Sequence, residues 1–363
     1  MTERRSRRLW WAAAVIAIGG GTLAWAAPSL TPGTVASPPV VVITTTPPAP
    51  VIPLPPEEIT ARVIPTVVTI TATAGFTTTA GTGIVLSPDG VVLTNHHVIS
   101  GASDISAVNL SNGLIYDVDV LGYDSVHDLA VLRLGGASDL PVAVVGTSAT
   151  LRRGDTVTAI GNAEGGGVAV PAPGTVTNLG VTVDTRNSTT GSRNQLKGMV
   201  EVDADIRPGD SGGPLVNSVA EVVGVNSAGN AVSERTDTSP APQSYAIPID
   251  DAMTVVDQVL GGQSTETVRV GPTPVLGVAV KDHRNPPTGA EVVAVNYDSP
   301  AEHLGLTKGS VITSFAANPV ASSADLTRVM STHRPGDRID VNWLDADGVA
   351  RSGSLILVPG PPR

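Results

Sequence analysis

The chain contains no cysteine. That absence excludes disulfides, thiolate nucleophiles and zinc sites of the cysteine type together. Aromatic residues are scarce, 3% of 363, so the core must be built from Val, Ile, Leu and Ala, a β-branched composition that favours strands. Basic residues are outnumbered, 22 against 33 acidic ones, for a net charge of −11. A chain this acidic lacks the basic face that phosphate contacts need, so no nucleic-acid partner is expected. Hydrophobic residues nevertheless make up 41%. A fold of this size can hold together by core packing alone, and the length admits two or three domains.

Basic charge is concentrated at the start. Arg4, Arg5, Arg7 and Arg8 precede an uncharged, mostly apolar run, Leu9 to Ala27, that closes on Ala24-Trp25-Ala26. A basic head, an apolar stretch and a small-x-small ending describe an export signal over residues 1–27. The run is also nearly long enough to span a bilayer, so a retained anchor through 9–27 stays open. Either way the head faces the cytoplasm and the remainder lies outside, which puts the protein in the cell envelope or the medium. Residues 28–58 are proline-rich, with ten prolines between Pro28 and Pro56, and read as an extended linker.

From 59 to 260 short β-rich runs alternate with glycine turns. LAVLRL at 129–134 is one such run, and Pro88-Asp89-Gly90 between two apolar runs signals a hairpin. Regular short strands over about 200 residues imply an all-β barrel or paired barrels. A helix is expected from about Pro248 through Leu260. Residues 261–273 read as a linker, and 274–360 as a second unit with a helix near Ser323–Ser331.

Three stretches concentrate chemistry: LTNHHVI at 93–99, HDLAVLRL at 127–134 and RPGDSGGPLV at 207–216. A serine hydroxyl needs a base to take its proton. The base needs a carboxylate to fix its tautomer. The developing oxyanion needs backbone N–H donors, which a glycine presents without obstruction. His97, Asp128 and Ser211 supply the base, carboxylate and hydroxyl, and the N–H groups of Gly209 and Ser211 the donors. The order His, Asp, Ser is that of chymotrypsin and differs from the subtilisin and α/β-hydrolase orders.

Together the three segments resemble the trypsin-like serine protease clan, and specifically the HtrA (DegP-like) proteases. TNHHV is similar to the clan's T-x-x-H segment, with His97 on the catalytic position. DLAVLRL is similar to its D-[IL]-A-[VL]-L strand, and GDSGGPL to its most specific signature. SYAIPID at 244–250 resembles the end of such protease domains. The order of signal, proline-rich stem, protease and one further unit is most like the secreted actinobacterial type. In the second unit, Leu276, Gly277 and Val278 resemble the carboxylate-binding loop of a PDZ domain, a small β-sandwich with helices that takes up peptide C-termini. SPAEHLGLTKGSVITSF at 299–315 and HRPGDRIDVNW at 333–343 are similar to HtrA PDZ segments. Leu326 and Met330 would line the groove.

The resemblance implies a mostly β, double-barrel serine endopeptidase followed by a PDZ domain. It would act on misfolded or unfolded proteins in envelope quality control, commonly as a homotrimer and without a cofactor. A protease-fold chaperone, or a PDZ-based peptide-binding protein, is the alternative. The specificity pocket would be drawn from Asp205, Ile206, Val225 and Asn226. Asp205 there implies a basic preference, Ile206 a small aliphatic one, and the second is favoured. Many HtrA proteins carry asparagine before the serine, whereas this chain has Asp210. Digestive relatives pair such an aspartate with a freed N-terminus, but no activation site is evident, so Asp210 needs another partner or is solvated. His96 is expected at the surface beside the site, and His127 structural or exposed. His283, His303 and His333 lack metal-ligand spacing and read as surface residues. Gly161–Gly167 lacks the Lys-Ser/Thr ending of a phosphate loop and reads as an ordinary loop.

Overall fold

The computed structural model describes residues 52–186, 193–227 and 243–362. The expected signal or anchor, and most of the proline-rich stretch, lie outside the described residues.

The first described element is a helix, α1 (Pro56–Val63). The linker expected to run to residue 58 therefore ends three residues sooner. Pro55 and Pro56 preset the first turn, Glu57 and Glu58 favour its N-terminal dipole and Arg62 its C-terminal end. The helix buries Ile59 and Val63, residues that read in sequence as the start of a strand.

Six strands follow: β1 (Val67–Ala74), β2 (Thr77–Val85), β3 (Val91–Thr94), then, after the one-turn helix α2 (His96–Ile99), β4 (Asp104–Asn109), β5 (Ile115–Asp124) and β6 (Leu129–Leu134). They pair antiparallel in the order β4-β1-β2-β3-β6, and β5 bridges β4 and β6 to close the ring. The Pro88-Asp89-Gly90 turn joins β2 to β3 as the sequence implies, with Gly90 at φ 90°. A second closed barrel is made by β7 (Thr156–Gly161), β8 (Val170–Arg186), β9 (Arg193–Val202), β10 (Pro214–Asn217), β11 (Val222–Ser227) and β12 (Ser244–Pro248).

Val68, Ile70, Val92 and Leu132 fill the first barrel, and Val157, Val200, Leu215 and Val223 the second. A third cluster lies where the barrels face one another, with Leu93 and Val131 of the first against Ile160 and Val216 of the second. Helix α3 (Ile249–Leu260) joins that cluster through Ile249, Ala252, Val255, Val256 and Val259, the i, i+3, i+4 stripe of an amphipathic helix. Each such aliphatic side chain taken fully from water contributes about 1.5–3 kcal/mol. That is how a chain without cross-links and with few rings stays folded.

Residues 261–273 are not a free linker. They contain β13 (Val268–Val270), which pairs antiparallel with β5: Val268 opposite Asp124, Arg269 opposite Tyr123. A strand too short to show alternation is recruited by the edge of β5 that its pairing with β4 leaves open. The second unit then opens with β14 (Thr273–Val275), and its main sheet runs β15 (Val278–His283), β16 (Gly289–Val295), β17 (Val311–Phe315), β19 (Arg338–Leu344), β20 (Ala350–Ile356). Helix α4 (Pro300–Leu304), the short β18 (Asn318–Pro319) beside β17 and helix α5 (Ser323–Met330) complete it, and β21 (Val358–Gly360) pairs with β14. Its core gathers Leu276, Val292, Phe315, Leu326 and Trp343. The architecture is mostly β: two six-stranded barrels followed by a sandwich with helices.

Candidate active site

Strand pairing brings the histidine and aspartate segments together. β3 lies antiparallel to β6 with Thr94 opposite Ala130, so the chain leaves β3 toward His97 beside the point where Asp128 enters β6. Asp128 has φ 58°, a left-handed conformation that costs a non-glycine residue about 1–2 kcal/mol. Surrounding bonds hold it there. Its carbonyl accepts from His96 N (3.2 Å) and Asn95 Nδ2 (3.0 Å). Its carboxylate takes both the backbone and the ring of His97, with His97 N donating to Oδ1 at 2.9 Å and Nδ1 lying 2.7 Å from Oδ2. Since a carboxylate only accepts, the proton sits on Nδ1, and Nε2 keeps its lone pair for a substrate or nucleophile proton. Burial pushes the His97 pKa down, but the charge and hydrogen bond of Asp128 outweigh it and leave the pKa raised above the ordinary value.

The turn delivering Asp128 is organised by a residue that sequence reading missed. Asp124, 1% exposed, accepts from Val126 N and His127 N, both at 2.9 Å, and pairs with His127 Nδ1 at 2.8 Å. Burial raises the Asp124 pKa, and the hydrogen bonds from His127 and Thr267 overcome that to leave it lowered. The signal lay in an Asp four residues before another Asp, a spacing shared by many turns.

Ser211 comes from the second barrel and docks on β2 of the first. Thr82 N donates to the Ser211 carbonyl at 2.8 Å. Thr82 Oγ1 donates to Gly209 O (2.7 Å) and accepts from Asn162 N (2.9 Å), while Thr82 O accepts from Thr94 Oγ1 (2.6 Å). One fully buried threonine thus fastens the serine loop to the histidine strand. In sequence it was only one β-branched residue in a strand. Gly212, at φ 84°, packs so closely that a Cβ would overlap Thr94 Oγ1 and Thr82 O and press on Asn95 N. Ser211 therefore sits beside the chain two residues ahead of His97.

The donors expected for the oxyanion follow from the same loop. Pro208 O accepts from Glu164 N at 2.7 Å. In a trans peptide the N–H points opposite the carbonyl, so the Gly209 N–H faces away from Glu164, and among the described residues no group accepts it. Gly209 has φ 101°, and a Cβ there would overlap Asn162 O.

Asp210 is neither solvated nor ion-paired. It is buried, Oδ2 accepts from Arg207 N at 2.8 Å, and Oδ1 has no partner among the described residues. Burial, against the weaker pull of Arg207, pushes its pKa up to about 6. A carboxyl whose folded pKa lies above the unfolded value of about 3.9 takes up protons on folding, so its contribution falls as pH rises from about 4 to about 6, by about 2–3 kcal/mol. Asp210→Asn is expected to melt higher than the parent at pH 7 and to lose that advantage at pH 4, which thermal melts at the two pH values will read.

The pocket residues do not converge. Asp205 Oδ2 accepts from Arg207 Nε and an Arg207 terminal nitrogen at 2.9 and 2.8 Å, so its charge is already matched and the basic-pocket expectation loses its support. Ile206 is 8% exposed, in the core of the second barrel beside Val157 and Ala204. Val225 and Asn226 are fully buried, and the Asn226 amide donates to Ile160 O and Pro214 O. Neither opens onto a pocket: the two side chains point to opposite faces of β11, and both faces of that strand are covered.

The expectation of an exposed His96 is also overturned. His96 is 5% exposed and stacks on Tyr123, ring centroids 4.8 Å apart, and burial lowers its pKa to about 4. The alternating fate of two adjacent histidines on one helical turn was not visible without knowing which side faced the barrel. His127, His303, His283 and His333 each pair with a carboxylate. The Gly161–Gly167 loop props the oxyanion segment through Asn162 and Glu164. In the second unit Leu276 is core, Gly277 has φ 88° packed on Ser299, and Val278 begins the edge strand β15. Leu326, at 2% exposed, belongs to the core and offers little to a groove, while Met330 is partly buried.

Residues 81–225 match the trypsin-like peptidase domain and residues 274–346 the PDZ domain. The chain is 32% identical over 331 residues to the serine protease PepD of Mycobacterium tuberculosis, covering 85% of this chain and 68% of that protein. The chain belongs to the HtrA family of trypsin-like serine proteases. This HtrA protease is also 36% identical over 274 residues to a probable periplasmic serine endoprotease DegP-like of Pseudomonas savastanoi, with 73% of this chain and 53% of that one covered. A solved structure titled HtrA-type protease AlgW with tripeptide is 26% identical, covers 85% of this chain and 98% of that one, and has a TM-score of 0.48. The chain thus spans between about half and two thirds of the length of these curated relatives.

Proposed function

We propose that this HtrA protease cleaves peptide bonds with Ser211 as nucleophile, His97 as base and then acid, and Asp128 as the group that orients the imidazole. The observation that carries the reading is the doubly bonded His97–Asp128 pair beside the loop on which Thr82 and Thr94 seat Ser211. His97 Nε2 takes the serine proton as the hydroxyl attacks the scissile carbonyl. The tetrahedral oxyanion turns toward the N–H groups of Gly209 and Ser211. The imidazolium returns the proton to the leaving amine, and water repeats the sequence on the acyl-enzyme. With the charge of Asp205 already matched by Arg207, small aliphatic side chains rather than basic ones are expected before the cleaved bond.

The PDZ domain, 274–360, fits capture of peptide C-termini. β15 is an edge strand of its sheet and can accept a further strand, with Leu276, Gly277 and Val278 at its start to meet the carboxylate. Export by residues 1–27, action on misfolded envelope proteins and a homotrimeric assembly belong to the same reading. Export is supported by the sequence of the N-terminus and by relatives named as periplasmic endoproteases, whereas the misfolded substrates and the homotrimer rest on the family resemblance alone. Labelling with a fluorophosphonate, with Ser211→Ala as control, tests the chemistry. The parent should label and hydrolyse a valine-ended model peptide faster than an arginine-ended one, and the variant should do neither. A parent that resists the label refutes the mechanism, and faster cutting after arginine refutes the pocket assignment.

A further inference from the structure

Tyr123 stands where three lines of structure meet. It lies on β5 opposite Ala130 of β6, two residues beyond Asp128, and immediately before Asp124, the organiser of the turn that delivers Asp128. Its ring stacks on His96, at 4.8 Å and 24° between planes, and His96 is bonded through its backbone to Asp128 and through the chain to His97. Its hydroxyl reaches out of the barrel to Thr273 Oγ1 at 2.7 Å, in a buried contact across 150 positions of sequence. Thr273 is the first residue of β14, four residues before Gly277.

The Tyr123 ring belongs to the core of the first barrel, but its hydroxyl is not needed for that packing. A phenylalanine would fill the ring's volume equally, and the β5–β13 pairing already ties residues 268–270 to the barrel. What the hydroxyl adds is a fixed distance between the histidine's neighbour and the strand that leads into the PDZ loop. Beside this bond the joint is open. A cleft of about 650 Å³ is lined by Tyr123, Thr273, Pro272, Val118 and Pro359, so the strand has room to move if the bond is absent.

Resting on the proteolytic reading above, we propose that Tyr123 and Thr273 are positioning residues for the catalytic imidazole: their hydrogen bond braces His96, and through it His97, against the first strand of the PDZ unit. Strain or displacement of β14 then reaches the reacting atoms through one hydroxyl pair and one ring stack. The brace sets where the imidazole stands and leaves the substrate sites untouched, so it acts on kcat and leaves KM.

The test is a double-mutant cycle on the full chain, with steady-state hydrolysis of a valine-ended peptide as the readout and Ser211→Ala as the blank. Tyr123→Phe and Thr273→Val, each nearly isosteric, should lower kcat between about fivefold and about a hundredfold, as small misplacements of a catalytic group do, with KM within about twofold. The double variant should be no worse than the poorer single one, because each removes the same bond. Thr273→Ser, which keeps the hydroxyl, should restore most of the loss. Additive losses, an unchanged kcat in both single variants, or a Thr273→Ser as poor as Thr273→Val would each overturn the brace while leaving the protease assignment standing. A parent with no Ser211-dependent turnover would overturn both.

Discussion

Asp128→Asn is expected to reduce kcat by about four orders of magnitude while the protein stays folded. The carboxylate carries two duties at once, accepting from the His97 backbone N–H at 2.9 Å through one oxygen and meeting the ring at Nδ1, 2.7 Å away, through the other. An amide has one acceptor. With its oxygen kept on the backbone N–H, its NH2 faces Nδ1 and donates, which drives the ring proton to Nε2. A ring protonated there cannot take the hydroxyl proton of Ser211. The fold should survive because asparagine is among the few residues at ease in the left-handed region, and Asp128 sits at φ 58°. The pH profile gives a second reading. In the parent the neutral imidazole is the active form and its pKa is raised, so activity climbs with pH through a midpoint above the ordinary histidine value of about 6.5. Without the Asp128 charge that midpoint should move down. A loss smaller than about tenfold in kcat, with the variant folded by circular dichroism, would show that Asp128 does not orient the base.

Gly209→Ala should rank next. The residue has φ 101°, and the methyl group it would gain overlaps the carbonyl oxygen of Asn162, backbone that cannot swing aside as a side chain can. The loop must therefore shift, and the peptide between Pro208 and residue 209 turns away from where it now points. Removing one oxyanion donor costs about a hundredfold to a thousandfold in kcat. Peptide capture by the PDZ domain should be unchanged, since that unit is built around its own core. Steady-state kinetics with fluorescence binding of a valine-ended peptide separates the two effects. A variant retaining more than about a tenth of parental kcat would mean that the Gly209 N–H is not a donor to the transition state.

These two substitutions share a physical theme: the groups they touch stand on left-handed backbone, which aspartate adopts only at a cost and glycine alone adopts freely. Asp128 and Gly209 are both at positive φ, and the bonds that hold them come from Asn95, Thr82, Asn162 and Glu164, on elements far apart in the chain. Strain of this kind persists only where the surroundings over-determine it.

The barrels were legible because local signals agree there: short β-branched runs are bounded by glycine turns, and LAVLRL at 129–134 gave the limits of β6. The proposed trio could be nominated from the sequence because three motifs in one order are rarely accidental. Helix α1 was missed because its eight residues carry only two buried positions, too few for a helical period to show. β13 was missed because three residues cannot alternate, and only the free edge of β5 makes them a strand. The amino-acid sequence alone thus determined which chemistry the chain can carry, since no arrangement supplies a hydroxyl, an imidazole and a carboxylate that the residues lack. Only the tertiary structure decided that His96 is buried on Tyr123, that Asp210 is sealed from water with one oxygen unmatched, and that Thr82 binds the two barrels at the site. Those outcomes depend on which surfaces exclude water and which backbones meet across the barrel seam, quantities that neighbouring residues in the chain do not encode.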